Sequence, residues 1–98
     1  SCIEFGTFRP QAGIDFSERA LLEAARKIET GYLVNHPDSR AHFMDRINAE
    51  TYSEVAFVKT LGAARKICQG YLVDDACGDL LAMFDPESVD LDFWHVLA

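Results

Sequence analysis

Apolar side chains recur at helical spacing in two long segments of the chain. In the first segment they occupy one helix face: Leu21, Ala25, Ile28 and Tyr32. Charged residues fill the positions between them, which is the pattern of an amphipathic helix. Asp15 and Glu18 have the spacing of a capping box, so we expect the helix to begin there and to run to about residue 34.

The second segment is apolar over a wider arc. Its apolar residues are Val55, Phe57, Val58, Leu61, Ala64, Ile67 and Cys68. An arc of this width is typical of a helix that neighbours cover on more than one side. Thr51 and Glu54 repeat the capping pattern, and we therefore predict a central helix over residues 52 to 72 or 73.

An internal repeat links the two segments. Residues 22–34 read LEAARKIETGYLV and residues 61–73 read LGAARKICQGYLV, so ten of thirteen positions are identical at an offset of 39. A match of this kind indicates a duplication, which we place at about 16–50 and 51–85 within a single domain of residues 1–98. Gly31 and Gly70 recur with it, either as left-handed helix caps or as points where another helix approaches closely.

A shorter apolar pattern follows each copy of the repeat. Phe43, Met44 and Ile47 follow the first copy, and the segment from Cys77 to Phe84 follows the second. Both patterns predict short helices, and two helical hairpins would result. We therefore predict a mainly α fold, a small bundle of two duplicated hairpins with a C-terminal helix.

The segment after Asp85 fits two structures. Pro86 after Asp85 is typical of a helix start, and Val89, Phe93 and Trp94 then share a helix face, so we expect a helix. The alternative is a strand, because apolar residues alternate with aspartates over 89–93. Its partner would be the segment around Ile3 and Phe5, which would give a minor two-stranded ribbon.

The net charge of -7 lies entirely in the last third of the chain. Residues 1–66 hold nine basic and nine acidic residues, whereas residues 67–98 hold seven acids and no Lys or Arg. Such a surface repels phosphate, so direct binding of nucleic acid is disfavoured and a basic protein surface is the expected partner.

The acidic third also contains aromatic residues of the kind that anchor interfaces. The predicted partner-binding residues are Asp74, Asp75, Asp79, Asp85, Glu87, Asp90, Asp92, Phe93 and Trp94. The alternative is that the aromatic residues belong to the core and that the aspartates cap helices.

Other chemistry-bearing residues favour structural roles. Asp38, His42 and Asp45 would share one face of a helix, but nearby arginines favour ion pairs over metal ligation, and we expect neither a metal nor a cofactor. Cys68 and Cys77 are expected to be buried thiols. The repeated Tyr32 and Tyr71 are either equivalent core residues or the lining of a groove.

These features predict a non-enzymatic interaction module. We expect a small acidic regulator or inhibitor that covers a basic protein surface, in the manner of phage antirestriction and anti-CRISPR proteins, to which it is similar only in size and charge. The alternatives are a small-ligand or cofactor-binding helical bundle and an oligomerising structural subunit. The three unpaired cysteines and the short apolar runs predict a cytoplasmic protein that does not enter membranes, and self-association stays open.

Overall fold

A computed structural model describes residues 1–97. Four strands and three helices follow one another along the chain: β1 (Cys2–Phe8), α1 (Glu18–Gly31), β2 (Ser39–Arg46), β3 (Tyr52–Val58), α2 (Leu61–Tyr71), α3 (Gly78–Leu81) and β4 (Asp90–His95). Short 3₁₀ turns occupy Leu33–Asn35, Asp75–Cys77 and Pro86–Ser88.

The four strands form one antiparallel sheet in the order β2-β3-β1-β4. With α1 between β1 and β2, and α2 between β3 and β4, the chain has the β-α-β-β-α-β order of ferredoxin-like folds. The predicted mainly α bundle is therefore wrong, and the fold is α+β.

The central helix predicted over 52–72 is a strand followed by a helix. Residues 52–58 form β3, an interior strand between β2 and β1, and its side chains on both faces are buried or half-buried. That two-sided burial produced the wide apolar arc. Thr60 caps the start of α2, in place of the expected cap at Thr51. Its side chain accepts a hydrogen bond from the backbone N–H of Ala63.

The repeat corresponds to α1 and α2, and of the two short helices predicted after them only the second is present, as α3 within the predicted segment 77–84. Ser17 caps α1 through the backbone N–H of Ala20, two residues after the expected cap at Asp15. The short helix expected around Phe43 and Met44 is β2, whose residues alternate between the two faces of the sheet.

The prediction of a C-terminal helix is also wrong. Residues 90–95 form β4, an edge strand that pairs with β1, with Ile3 opposite Trp94 and Phe5 opposite Asp92. The alternative pairing of these two segments is present, but as half of a four-stranded sheet rather than as a minor ribbon. Aspartates on the solvent side of β4 explain the alternation.

The core lies between the helices and one face of the sheet. Strand residues Cys2, Phe8, Ala56 and Val58 pack there against the helices. The buried helix residues are Leu21, Ala24, Ile28, Ala64, Ile67 and Leu80. The opposite face carries no helix and presents apolar residues, among which Phe5 stacks on Trp94 and Phe43 lies against Phe57. Self-association stays a prediction.

Gly31 and Gly70 are sites of close approach. Neither has a positive φ, so the left-handed cap is excluded for both. A methyl group added at Gly70 would collide with the hydroxyl of Tyr32, and one at Gly31 would lie 3.0 Å from the side chain of Ala76. The repeated glycines therefore let the neighbouring segment pack directly on each helix end.

Candidate functional site

A cavity of about 380 Å³ lies between the sheet and α2. Its floor is the helix-facing side of β1, β3 and β4, which share that face through their register. The strands contribute Glu4, Gly6, Thr7, Phe8, Glu54 and Leu91, and the end of α2 contributes Cys68, Tyr71 and Leu72. Most of these side chains are apolar, so the few polar groups among them define what the cavity can bind.

The connection from α2 to β4 closes the cavity. Leu81, Phe84, Pro86 and Val89 line it from this segment. Backbone hydrogen bonds fix the segment to the loop after β1: Gln11 donates to Met83 at 2.8 Å, and Asp85 donates to Arg9 at 2.9 Å. The wall of the cavity is thus hydrogen-bonded to the loop after β1, which contributes Gln11 to the lining.

Glu54 is the centre of the polar network. The Nε2 atom of His42 lies 2.6 Å from its carboxylate, and the hydroxyl of Tyr71 donates to the same oxygen at 3.2 Å. The side chain of Glu54 is 16% exposed. A carboxylate with two partners at this depth is held in one orientation towards the cavity.

His42 lies between two carboxylates. Its Nδ1 atom is 2.9 Å from Glu29 of α1, so each ring nitrogen faces a carboxylate oxygen. Burial alone would lower the pKa of His42, but the hydrogen bonds and charges of Glu54 and Glu29 outweigh it, and the pKa is raised. The doubly protonated ring satisfies both partners and neutralises part of their charge.

Glu4 forms a second polar point of the cavity. The thiol of Cys68 donates to its carboxyl group at 3.0 Å. Burial raises the pKa of Glu4, and the charge of Glu54 adds to this effect. Burial and the neighbouring Glu4 also raise the pKa of Cys68, so its sulfur is held as a thiol and is a poor nucleophile.

Tyr32 and Tyr71 are in edge-to-face contact, with ring centroids 6.3 Å apart, but they are not equivalent. Tyr32 is buried and donates to the backbone carbonyl of Ile67. Tyr71 lines the cavity, and burial together with the charge of Glu54 raises its pKa, so it is a hydrogen-bond donor. Of the predicted groove pair, only Tyr71 reaches the cavity.

The predicted acidic and aromatic residues occupy several places. Three of the acids have local partners: Asp74 caps the turn at 75–77, Asp85 caps the turn at 86–88, and Asp79 pairs with Lys27. Asp75 and Glu87 are exposed in the two turns.

The remaining acids lie with Trp94 on the open face of the sheet, where Asp90 is opposite Thr7 and Asp92 opposite Phe5. Phe93 faces the other way and packs on the core. The two adjacent aromatic residues, Phe93 and Trp94, therefore lie on opposite faces of β4. Binding of a basic protein surface remains a prediction from charge alone.

The three residues weighed as a metal site are separated. Asp38 precedes β2, and His42 and Asp45, three positions apart on a strand, point to opposite faces of the sheet. Among residues 1–97, no group of three His, Cys, Asp or Glu side chains is arranged to hold a metal ion.

The sequence pattern did not identify Glu4 and Glu54, which are single carboxylates within largely apolar strands. A charged residue at a core-facing position of a central strand is costly, and that cost was the available signal. For Glu54 the signal was hidden because a helix over residues 52–72 makes this residue the capping partner of Thr51.

The chain resembles solved structures in fold. SnoaB, a cofactor-independent oxygenase from Streptomyces nogalater, superposes with a TM-score of 0.67 at 14% identity, over 97% of this chain and 91% of that one. A candidate antibiotic biosynthesis monooxygenase from Nitrosomonas europaea gives 0.68 at 10% identity over 100% of both chains. One from Chloroflexus aurantiacus gives 0.68 at 10% identity, over 100% of this chain and 95% of that one.

No protein-family model matches the sequence, and no curated protein matches it significantly. These three structures overturn the prediction of a non-enzymatic inhibitor, since they are named as oxygenases and share the α+β fold rather than a helical bundle. Across residues 1–97, no helix combines the length and apolar character that crossing a bilayer requires.

Proposed function

We propose that the chain is an enzyme that binds a small, largely apolar organic molecule in the sheet–helix cavity and removes a proton from it. The observation that supports this most directly is the carboxylate of Glu54, held inside an apolar cavity by His42 and Tyr71. The volume of about 380 Å³ lies within the range of small-molecule sites, about 300–1,000 Å³.

Glu54 is the general base of this proposal. The ring of His42 lies behind it and fixes its orientation, and Glu29 favours the charged form of that ring. A base must also reach the proton that it removes, and Glu54 lines the cavity itself. His42 and Glu29 are positioning residues.

An oxygenase reaction extends this proton transfer, and the cofactor-independent oxygenation named for SnoaB supports it. The substrate would carry an acidic methylene group beside a carbonyl. Glu54 takes one of its protons, dioxygen adds to the resulting carbanion, and the peroxide takes the proton back. Loss of water from the hydroperoxide leaves a second carbonyl, so one CH₂ and one O₂ become one C=O and one H₂O.

Deuterium exchange tests the proton transfer. The probe is 2-tetralone, an apolar ketone with acidic methylene groups, incubated with the protein in D₂O and followed by proton NMR. Glu54→Gln should reduce the exchange rate by ~100-fold or more, because general-base catalysis contributes about 10²–10⁴. Glu50→Gln, at an exposed loop residue, is the matched control and should leave the rate unchanged. Equal rates in the wild type and Glu54→Gln would contradict the assignment.

Oxygen uptake tests the second step. A panel of fused-ring ketones and phenols is supplied in air, with an oxygen electrode and mass spectrometry as readouts. We expect one new carbonyl for each O₂ consumed, with loss of both signals in Glu54→Gln. If the protein exchanges 2-tetralone but no compound in the panel causes O₂ uptake, the proposed proton transfer stands and the proposed oxygenase step is contradicted.

A blocked cavity tests the location of the binding site. Val89 lines the cavity and is 45% exposed, whereas Val73 is 83% exposed and lies outside it. Val89→Trp should weaken binding of the neutral fluorophore N-phenyl-1-naphthylamine by ~10-fold, a change of about 1.4 kcal/mol. Val73→Trp should not, and equal effects of the two variants would place the binding site elsewhere.

The proposed location is the cytoplasm. Cys2, Cys68 and Cys77 are all free thiols, which a reducing compartment preserves. Cys68 must remain a thiol to donate to Glu4. Fractionation of the host cell with an antibody against the chain tests the location.

A further inference from the structure

The two carboxylates of the cavity have different partners. Glu54 faces the charged ring of His42 and accepts a hydrogen bond from Tyr71. Glu4 has one partner, the neutral thiol of Cys68. A carboxyl group that is buried beside a neutral group, as Glu4 is, favours its protonated form.

The strand register places the two groups together with space between them. Glu4 is opposite Ala56, and Glu54 is opposite Gly6, so the two glutamates are diagonal neighbours on one face of the sheet. Diagonal pairs are roughly 7–8 Å apart at the backbone. The residues that complete the square, Gly6 and Ala56, are small, and both glutamates line the cavity, so one ligand in the cavity can contact both carboxyl groups.

The surroundings of Glu4 support the neutral form. Burial and the negative charge of Glu54 on β3 raise its pKa, while the Cys68 thiol on α2 and the charge of His42 on β2 lower it less. Strand β4 places Leu91 and Phe93 beside it, and neither titrates. One oxygen accepts the thiol hydrogen, and the other is available to carry a proton into the cavity.

We propose that Glu4 is a neutral carboxylic acid that donates a hydrogen bond to an oxygen of the ligand, with Cys68 as its positioning residue. The ligand class that this arrangement takes is a ketone, or the corresponding enol or phenol, with its oxygen at Glu4 and its acidic carbon at Glu54. Hydrogen-bond donation by Glu4 to a ligand does not require catalysis. Its effect on the rate of proton transfer rests on the proposed function.

The proposed step is balanced in protons and charge. Glu54 takes the proton from the carbon beside the carbonyl, and the electron pair of that C–H bond becomes the C=C bond of an enolate. Negative charge then develops on the oxygen, where the O–H of Glu4 stabilises it without transferring its own proton. Pairs of carboxyl groups with opposite protonation states provide an acid and a base at one site.

The pH profile of 2-tetralone exchange tests the protonation state. The wild-type rate should fall at high pH as Glu4 ionises, and Glu4→Gln, whose amide still donates, should retain the rate within ~10-fold and lose the alkaline fall. Glu4→Leu, which has no donor, should lose ~100-fold or more, the usual effect of removing one donor to an oxyanion. Cys68→Ala should move the alkaline fall to higher pH, because the thiol lowers the pKa of Glu4.

Ligand binding tests the donor role without catalysis. The probe is 2-naphthol, which has the shape of the enol of 2-tetralone, and naphthalene is the control without an oxygen. Glu4→Leu should weaken binding of 2-naphthol by ~10-fold or more and leave binding of naphthalene unchanged. Glu50→Leu is the matched control, and thermal melting checks that each variant is folded. Glu4→Gln replaces Glu4→Leu if the latter does not fold, and should retain the preference for 2-naphthol.

The outcomes separate the two proposals. If the wild type does not exchange 2-tetralone but prefers 2-naphthol through Glu4, the proposed function fails and the donor role stands. If exchange depends on Glu54 while Glu4→Leu is as active as the wild type, the proposed function stands and the role of Glu4 is overturned. An alkaline fall that persists in Glu4→Gln also overturns it.

Discussion

Helices α1 and α2 carry the two copies of the repeat and differ in what they face. Helix α1 buries Leu21, Ala24, Ala25 and Ile28 and forms a continuous wall of the core. Helix α2 buries only Ala64 and Ile67 in its interior, and its last turns contribute to the cavity. The same local sequence thus packs against the core in one place and lines a cavity in the other, and its position against the sheet decides which.

Matched positions show where the difference arises. Glu29 of α1 corresponds to Cys68 of α2, and each contacts one part of the polar network: Glu29 contacts His42, and Cys68 contacts Glu4. Tyr32 and Tyr71 are also matched, but one hydroxyl bonds to backbone and the other to Glu54. The four predictions below compare such pairs.

The largest effect is expected for the matched isoleucines. Ile28 is fully buried and Ile67 is 6% exposed. Ile28→Ala should lower the free energy of unfolding by ~4 kcal/mol, and Ile67→Ala by ~3 kcal/mol, within the usual range of about 2–5 kcal/mol for such truncations. Urea denaturation measures both. A larger loss at Ile67 would show that α2 contributes more to the core than α1.

The matched glycines should differ next. Gly70→Ala places a methyl group against the hydroxyl of Tyr32 and should cost ~2 kcal/mol, because overpacking of a rigid site costs about 1–3 kcal/mol. Gly31→Ala meets only Ala76, and the gain in helix propensity should keep its effect within ~1 kcal/mol. Thermal unfolding separates them, and a stable Gly70→Ala variant would contradict the close packing of Tyr32.

The matched tyrosines separate stability from activity. Tyr32→Phe loses a buried hydrogen bond and should lower the free energy of unfolding by ~1 kcal/mol. Tyr71→Phe should affect stability less, since Glu54 retains His42, but should slow exchange of 2-tetralone by ~10-fold. Denaturation and exchange are measured on both variants. A Tyr32→Phe protein with slower exchange and unchanged stability would reverse the assignment.

The smallest expected effect is the pH dependence of stability that results from the contact between Glu29 and His42. The pKa of His42 is raised above 6.5 in the folded chain, so this interaction stabilises fully below pH 6.5 and is lost as the pH rises through the raised value. Glu29→Gln should therefore cost more at pH 6 than at pH 9, by less than ~1 kcal/mol. Cys68→Ser should leave that slope unchanged, and denaturation at both pH values tests the pair.

Local signals predicted α1 and located the repeat, because an amphipathic helix depends on residues close in sequence. They failed for β3, where burial on both faces removed the alternation that identifies a strand. Local signals also failed for β2. Its apolar residues Phe43 and Met44 point to opposite faces of the sheet, but so few apolar positions also fit the spacing of a helix. Both segments are strands because they pair with distant parts of the chain in the sheet, and the spacing of residues along the sequence does not encode that pairing.

The site was less accessible to prediction than the fold. Its polar groups come from three strands and two helices, so no local motif joins Glu4, Glu54 and His42. Tyr71 was identified only as a member of a repeated pair. Of the acidic residues that dominate the sequence pattern, two cap short turns and the others lie exposed at the surface.

The connection between α2 and β4 has a consequence for how this molecule can diversify. It supplies much of the apolar wall of the cavity, while the groups that handle protons lie on β1, β2, β3 and the two long helices. Loops tolerate substitution and insertion better than the elements that they connect. Under the proposed function, ligand range and reaction chemistry depend on separate stretches of the chain, and the exposed lining residues Leu72, Pro86 and Val89 can be varied to retarget the cavity while Glu4 and Glu54 are retained.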